Sequence, residues 1–202
     1  MTAGLRRFLA PRAPEPERCG LCAAVLAEHG HRHLVDTERR SLACACTPCG
    51  LLFEQSGTRH GRYRLVPDRY LTDSRLEVSW ERLQIPVGVA FFFRNSSLDR
   101  LVALYPGPAG ATESELDPDT WQAVLAGTRL AGLLEPDVEA LLLRRTRDGI
   151  SCHLVPIDVC YQLVGRMRLH WKGFDGGARA QAELADFFGH VAARAKVLEE
   201  VA

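Results

Sequence analysis

An α+β fold in two unequal parts is predicted by three observations. Five of the seven cysteines fall within the first fifty residues. The middle of the chain alternates short apolar runs with turn residues, as an antiparallel sheet does. The last third carries apolar residues at helical spacing. A small cysteine-bearing module is therefore expected first, followed by a mixed domain with an antiparallel sheet and C-terminal helices.

Residues 1–17 are expected to be an arm and linker. Leu5, Phe8 and Leu9 suit a short amphipathic turn, and the three prolines of Ala10–Glu17 favour an extended path. The module is placed at residues 18–57. Within it, His31–Asp36 and Arg40–Ala45 read as short strands around the polar turn Thr37–Arg40.

The larger domain is placed at 58–202. Tyr63–Pro67 reads as a strand and Val78–Leu83 as a helical turn. Val87–Arg94 is apolar on both faces, the pattern of a strand buried on both sides. Arg100–Tyr105 should pair with it across Asn95–Asp99. A loop over Pro106–Glu115 leads to a helix with Asp117 as N-cap, Pro118 at N1, and Trp121, Val124 and Leu125 on its buried face. Val138–Arg145 has some helical spacing, but Asp148-Gly149 followed by Ile150–Ile157 favours a hairpin. Asp158–Trp171 is helical, with Cys160, Val164, Met167 and Trp171 on one face. In the final helix Leu184, Phe187, Phe188, Val191, Ala195 and Leu198 draw one apolar stripe.

Composition narrows the function classes. Equal numbers of basic and acidic residues, 25 each, give no global pull toward nucleic acid or anionic membrane. Basic residues are not interleaved with aromatics, which also argues against nucleic acid. No apolar run reaches the ~18–20 residues of a membrane span, and the start lacks the apolar core of a signal peptide. A cytoplasmic location is expected. Thiols stay reduced there, so clustered cysteines point to metal or redox chemistry.

Two Cys-x-x-Cys pairs, Cys19/Cys22 and Cys46/Cys49, are separated by twenty-three residues. Two residues between thiols allow a tight turn to aim both sulfurs at one point. An intervening hairpin then brings the second pair opposite the first, closing a tetrahedral thiolate cage. Gly20, Pro48 and Gly50 supply turn chemistry at the two knuckles. A zinc-ribbon or rubredoxin-like module with Cys19, Cys22, Cys46 and Cys49 as ligands is the expectation. Cys44 is then surplus. It shares a strand face with Cys46 at period two, so it is either a spare buried residue, a substitute ligand or a redox-active neighbour. His29, His31 and His33 compete weakly as ligands, because four thiolates already suffice for a soft metal.

Zinc and iron both accept four thiolates, so the ligands do not name the metal. A closed cage leaves no open position for substrate, which makes zinc structural here. Iron would make the site a one-electron carrier. Residues 1–60 contain only Phe8 and Phe53 as aromatic cover, which favours zinc.

Other candidates carry less. Ser151-Cys152-His153 and Cys160 invite a Cys/His nucleophile, yet adjacency in sequence is not catalytic geometry. A deep polar pocket holding His153 or His170 would favour an enzyme. Phe174–Gly177 could present backbone amides to an anion, and Thr112–Asp119 an acidic docking surface. Ordinary capping and solvation account for both more simply.

Several segments resemble a known family: His31–Asp36, Leu83–Arg94, Tyr105–Ser114, Leu134–Leu142 and Leu154–Gly165. Together they resemble an uncharacterised actinobacterial family, a domain of unknown function encoded beside [NiFe] hydrogenase genes. The resemblance runs from about Arg18 to His190 and brings no catalytic residues with it. It implies a context and not a reaction: a non-enzymatic accessory protein for maturation, assembly or protection, with hydrogenase subunits or maturation factors as partners.

Overall fold

The computed structural model describes residues 16–27, 30–54, 61–73, 76, 78–107, 109–114, 117–170 and 176–198. The expected arm, most of the linker, His29, Trp171 and Phe174-Asp175 lie outside them, as do the side chains of Trp121 and Val124.

Among the described residues the chain forms two sheets. The small one has the order β2-β1-β3, built from Arg32–Asp36 (β1), Ser41–Ala45 (β2) and Tyr63–Leu65 (β3), all antiparallel. The turn between β1 and β2 includes Arg40 in a left-handed conformation, φ 52°. The third strand comes from beyond residue 57, so the small sheet is completed by a segment expected in the larger domain. A helix of one turn, Thr47–Leu51 (α1), follows β2.

The large sheet has seven strands, in the order Lys196–Val197 (β10), Leu71–Thr72 (β4), Gly149–Pro156 (β9), Glu139–Thr146 (β8), Val89–Asn95 (β5), Arg100–Gly107 (β6) and Gly110–Glu113 (β7). Its centre is β5 (Val89–Asn95), β8 (Glu139–Thr146) and β9 (Gly149–Pro156). Successive side chains of a strand face opposite ways, and here both faces are covered. Phe91, Leu142 and Val155 face a core completed by Cys160, Leu163, Met167, Leu184 and Phe188 of the C-terminal helices. Ala90, Phe92, Leu141, Leu143 and Leu154 face a second core with Trp80, Leu83 and Leu130. The apolar run at 87–94 is thus explained by burial on both sides. The helices are α3 (Ile157–His170) and α4 (Gly177–Arg194). Pro118–Leu125 (α2) starts where expected, with Asp117 Oδ1 accepting from the Asp119 amide at 3.2 Å.

The hairpin alternative for 138–157 is the one found. β8 and β9 pair from Glu139↔Pro156 to Thr146↔Gly149, and Gly149 has φ 134°. The helical turn expected over Val78–Leu83 is present as a 3-10 turn at Trp80–Leu83. Two expectations need correction. The loop over Pro106–Glu115 is largely sheet: β6 (Arg100–Gly107) turns directly into β7 (Gly110–Glu113). The final apolar stripe overruns its helix. Ala195 is extended, and β10 (Lys196–Val197) pairs parallel to β4 (Leu71–Thr72). The Lys196 and Leu198 amides donate to Tyr70 and Thr72 carbonyls, and Leu198 packs into the second core. Those strand hydrogen bonds outcompete another helical turn.

The small sheet sits on the large domain through specific contacts. Val35 and Val66 join the first core. Arg64 donates to the Pro136 carbonyl and to Asp137, at 2.6 and 3.1 Å. Ser97 Oγ donates to the Thr37 carbonyl. No helix among the described residues is long and apolar enough to cross a membrane.

Candidate metal centre

The four expected thiols come from two knuckles on opposite sides of the β1–β2 hairpin. In the first, the Cys19 amide donates to the Ala24 carbonyl and the Ala23 amide to the Cys19 carbonyl, with Ala23 left-handed at φ 61°. The Gly20 amide donates to the Cys44 carbonyl, which ties this knuckle to β2. In the second, Cys46 is the N-cap of α1 and the Gly50 amide donates to its carbonyl at 2.9 Å, with Pro48 in the first turn.

These turns bring the sulfurs of Cys19, Cys22, Cys46 and Cys49 within 4.8 Å of one another. Cys22 Sγ and Cys46 Sγ lie 3.7 Å apart. With metal–thiolate bonds of ~2.3 Å, the edge of a tetrahedron is roughly 3.8 Å. The cluster is therefore close to the size of a four-thiolate cage.

The protein has prepared the charge on this cluster unevenly. Burial pushes the Cys19 thiol up, but the amides of Cys46, Cys22 and Leu21 outweigh it and bring it down to about 6. The neighbouring sulfurs of Cys46 and Cys22 push Cys49 up to about 12. One thiolate is accommodated readily, and further thiolates in the same space repel it. A cation removes that repulsion and displaces the remaining protons. The donor set fits a soft or borderline ion, and both zinc and iron satisfy it.

Around the sulfurs the core is small. Cys19, Leu26, Leu34 and Ala45 are its buried members, with Phe53, Tyr63 and Leu65 packed against them. Phe53 and Tyr63 meet edge to face, centroids 6.2 Å apart. Tyr63 lies just past the first sixty residues, so the aromatic scarcity that favoured zinc is partly made good by β3.

Cys44 is not one of the four clustered sulfurs. Its sulfur lies within 4.8 Å of ring nitrogens of His31 and His33. Cys44 and Cys46 both pack against the small core, but β2 ends at Ala45 and Cys46 belongs to the turn into α1. Sequence reasoning treated the histidines as competitors for one site. The β1–β2 register, which sets His33 opposite Cys44, is what separates them.

The remaining candidates are dispersed. Cys152 and His153 are consecutive on β9, so their side chains face opposite cores. The His153 ring lies 6.4 Å from that of Phe188. Burial pushes Cys152 up to about 12 and raises Cys160 as well, which keeps both thiols protonated and inert. His153 Nδ1 is buried without a hydrogen-bond partner among the described residues, and burial lowers its affinity for a proton. A cleft of about 320 Å³ lies between Val35, Thr37 and Leu42 of the small sheet and Phe93, Asp137 and Tyr161 of the large domain. A second, of about 220 Å³, lies between α3 and α4. Neither is lined by His153 or His170.

Fold and site together define an α+β protein with a thiol cluster able to hold a metal ion. The chain belongs to the family of unknown function DUF5947, whose model matches residues 18–195. No curated protein and no solved structure matches it.

Proposed function

We propose that Cys19, Cys22, Cys46 and Cys49 hold one structural zinc ion, and that the protein is a cytoplasmic, non-enzymatic accessory factor for [NiFe] hydrogenase maturation, assembly or protection. The observation that carries the metal is the convergence of four sulfurs beside a core too small to fold unaided. A closed cage offers no coordination position to a substrate, so the ion's work is to organise the knuckles. Those knuckles carry large apolar side chains in solvent: Leu21, Val25, Leu51 and Leu52 are 38%, 57%, 52% and 69% exposed. Such residues suit a surface that meets another protein. The hydrogenase context rests on the resemblance of the sequence to a family encoded beside hydrogenase genes.

The packing of Phe53 and Tyr63 against the cluster favours a second reading, a rubredoxin-like iron centre passing single electrons. Affinity purification from the native host, with elemental analysis of the eluate, tests both. Colourless protein with one or more zinc per chain and a hydrogenase component is expected. Red, iron-loaded protein supports the electron carrier. Metal-free protein without a hydrogenase component contradicts both readings.

A further inference from the structure

We infer that His31, His33 and Cys44 form a second metal site, separate from the four-thiol cluster, that takes a late first-row divalent ion such as zinc with one coordination position left open. The ligand atoms lie within 4.8 Å of one another. The two imidazoles meet at their Nε2 atoms, 3.2 Å apart, with the rings nearly perpendicular. With metal–nitrogen bonds of ~2.0–2.1 Å, two tetrahedral nitrogens are separated by roughly 3.3 Å.

The outward side of each ring fixes what the inner side offers. His33 Nδ1 lies 2.7 Å from Asp158 Oδ2 at the start of α3, and His31 Nδ1 lies 3.3 Å from the Ala27 carbonyl oxygen. A carboxylate and a carbonyl can only accept, so each Nδ1 carries the proton. In neutral rings both Nε2 atoms then present lone pairs to each other, an arrangement that is repulsive unless a cation sits between them. A carboxylate on one ring and a backbone carbonyl on the other are also the partners that habitually orient metal-binding histidines. Cys44 supplies the third donor because it pairs with His33 across the β1–β2 ladder. All three side chains are half-buried, so an ion and an exogenous fourth ligand can reach them. Two imidazoles and one thiolate suit a borderline ion, and three protein ligands leave room for exchange that the closed cage lacks.

Asp158 also accepts from the Val159 amide through Oδ1, so its other oxygen is free to hold His33. It is a positioning residue that links this site to the large domain.

The test is zinc titration of the reduced, metal-stripped full chain, followed by native mass spectrometry and by imidazole nitrogen NMR. Two zinc ions per chain are expected, with the Nε2 signals of His31 and His33 moving with one of them. His31→Gln and Cys44→Ser should each bind one fewer ion. Asp158→Asn should weaken that ion by on the order of 10–100-fold while leaving the other unchanged. A single ion that leaves both Nε2 signals in place, with the three variants binding like the parent, overturns the second site and spares the four-thiol one. A single ion that moves both signals and is lost in His31→Gln supports the second site and sinks the cage. Nε2 signals that shift on acidification and never with zinc would show that the two rings share a proton, which overturns the inference.

Discussion

Asp36 illustrates how single residues tie the small sheet together. It is buried at the end of β1, where its Oδ2 accepts from Arg62 Nε and Nη2 at 3.0 and 2.6 Å, and its Oδ1 from the Arg39 amide. The Arg62 guanidinium, aided by that amide, outweighs burial and holds the carboxyl down to about 2. An unfolded aspartate titrates near ~3.9. The folded chain therefore binds fewer protons, and this contribution is fully present above pH ~4 and lost as pH falls from there toward about 2. The melting-temperature gap between the parent and Asp36→Asn should accordingly be wide at pH 6 and close toward pH 2. A gap that stays constant would show that the carboxylate's charge is not what matters. The four clustered cysteines were legible at this scale because Cys-x-x-Cys spacing is a local constraint. The partners of Cys44 were not: they depend on the hairpin register, and Asp158 is 125 residues from His33.

At the scale of elements, Gly50 shows how a correct residue can be explained by the wrong cause. In sequence it reads as turn chemistry after the last thiol. In the structure it lies within α1, and a β-carbon there would meet Arg32 Cγ at 2.8 Å and Arg32 Cβ at 3.0 Å. Alanine would gain ~1 kcal/mol of helix propensity over glycine, against an overpacking cost of about 1–3 kcal/mol. Because Arg32 Cβ is fixed to strand β1, the clash should win. Gly50→Ala is expected to lower stability by about 1 kcal/mol in denaturant titration of the metal-loaded protein; unchanged or higher stability would mean that the strand yields.

Most longer elements were legible because each carries its own pattern: an unbroken apolar run along β5, apolar residues at helical spacing along α3. The two-residue strands β4 and β10 were not. Two residues hold no period: β10 forms because the chain leaving α4 runs beside Leu71–Thr72, and β4 because it also pairs with Leu154 and His153 of β9. The helix–hairpin ambiguity at 138–157 resolved to the hairpin, where Gly149 supplies a conformation that a helix cannot use.

Across the whole molecule, two kinds of stability meet. The large sheet is buried on both faces and needs no ion to justify its core. The small core has four buried members, Cys19, Leu26, Leu34 and Ala45, and the small sheet borrows the first core through Val35 and the adjoining Val66. Its strand β3 and its knuckles share one cluster, so removal of the ion should be felt at Tyr63–Leu65 as well as around the thiols. The central claim is that one ion at Cys19, Cys22, Cys46 and Cys49 folds this region. Amide hydrogen exchange of the full chain, with and without a chelator that strips the metal, tests it most directly. Chelation is expected to remove protection from residues 18–54 and 63–65 while β8 and β9 keep theirs. Unchanged exchange in 18–54 after verified metal removal would contradict it.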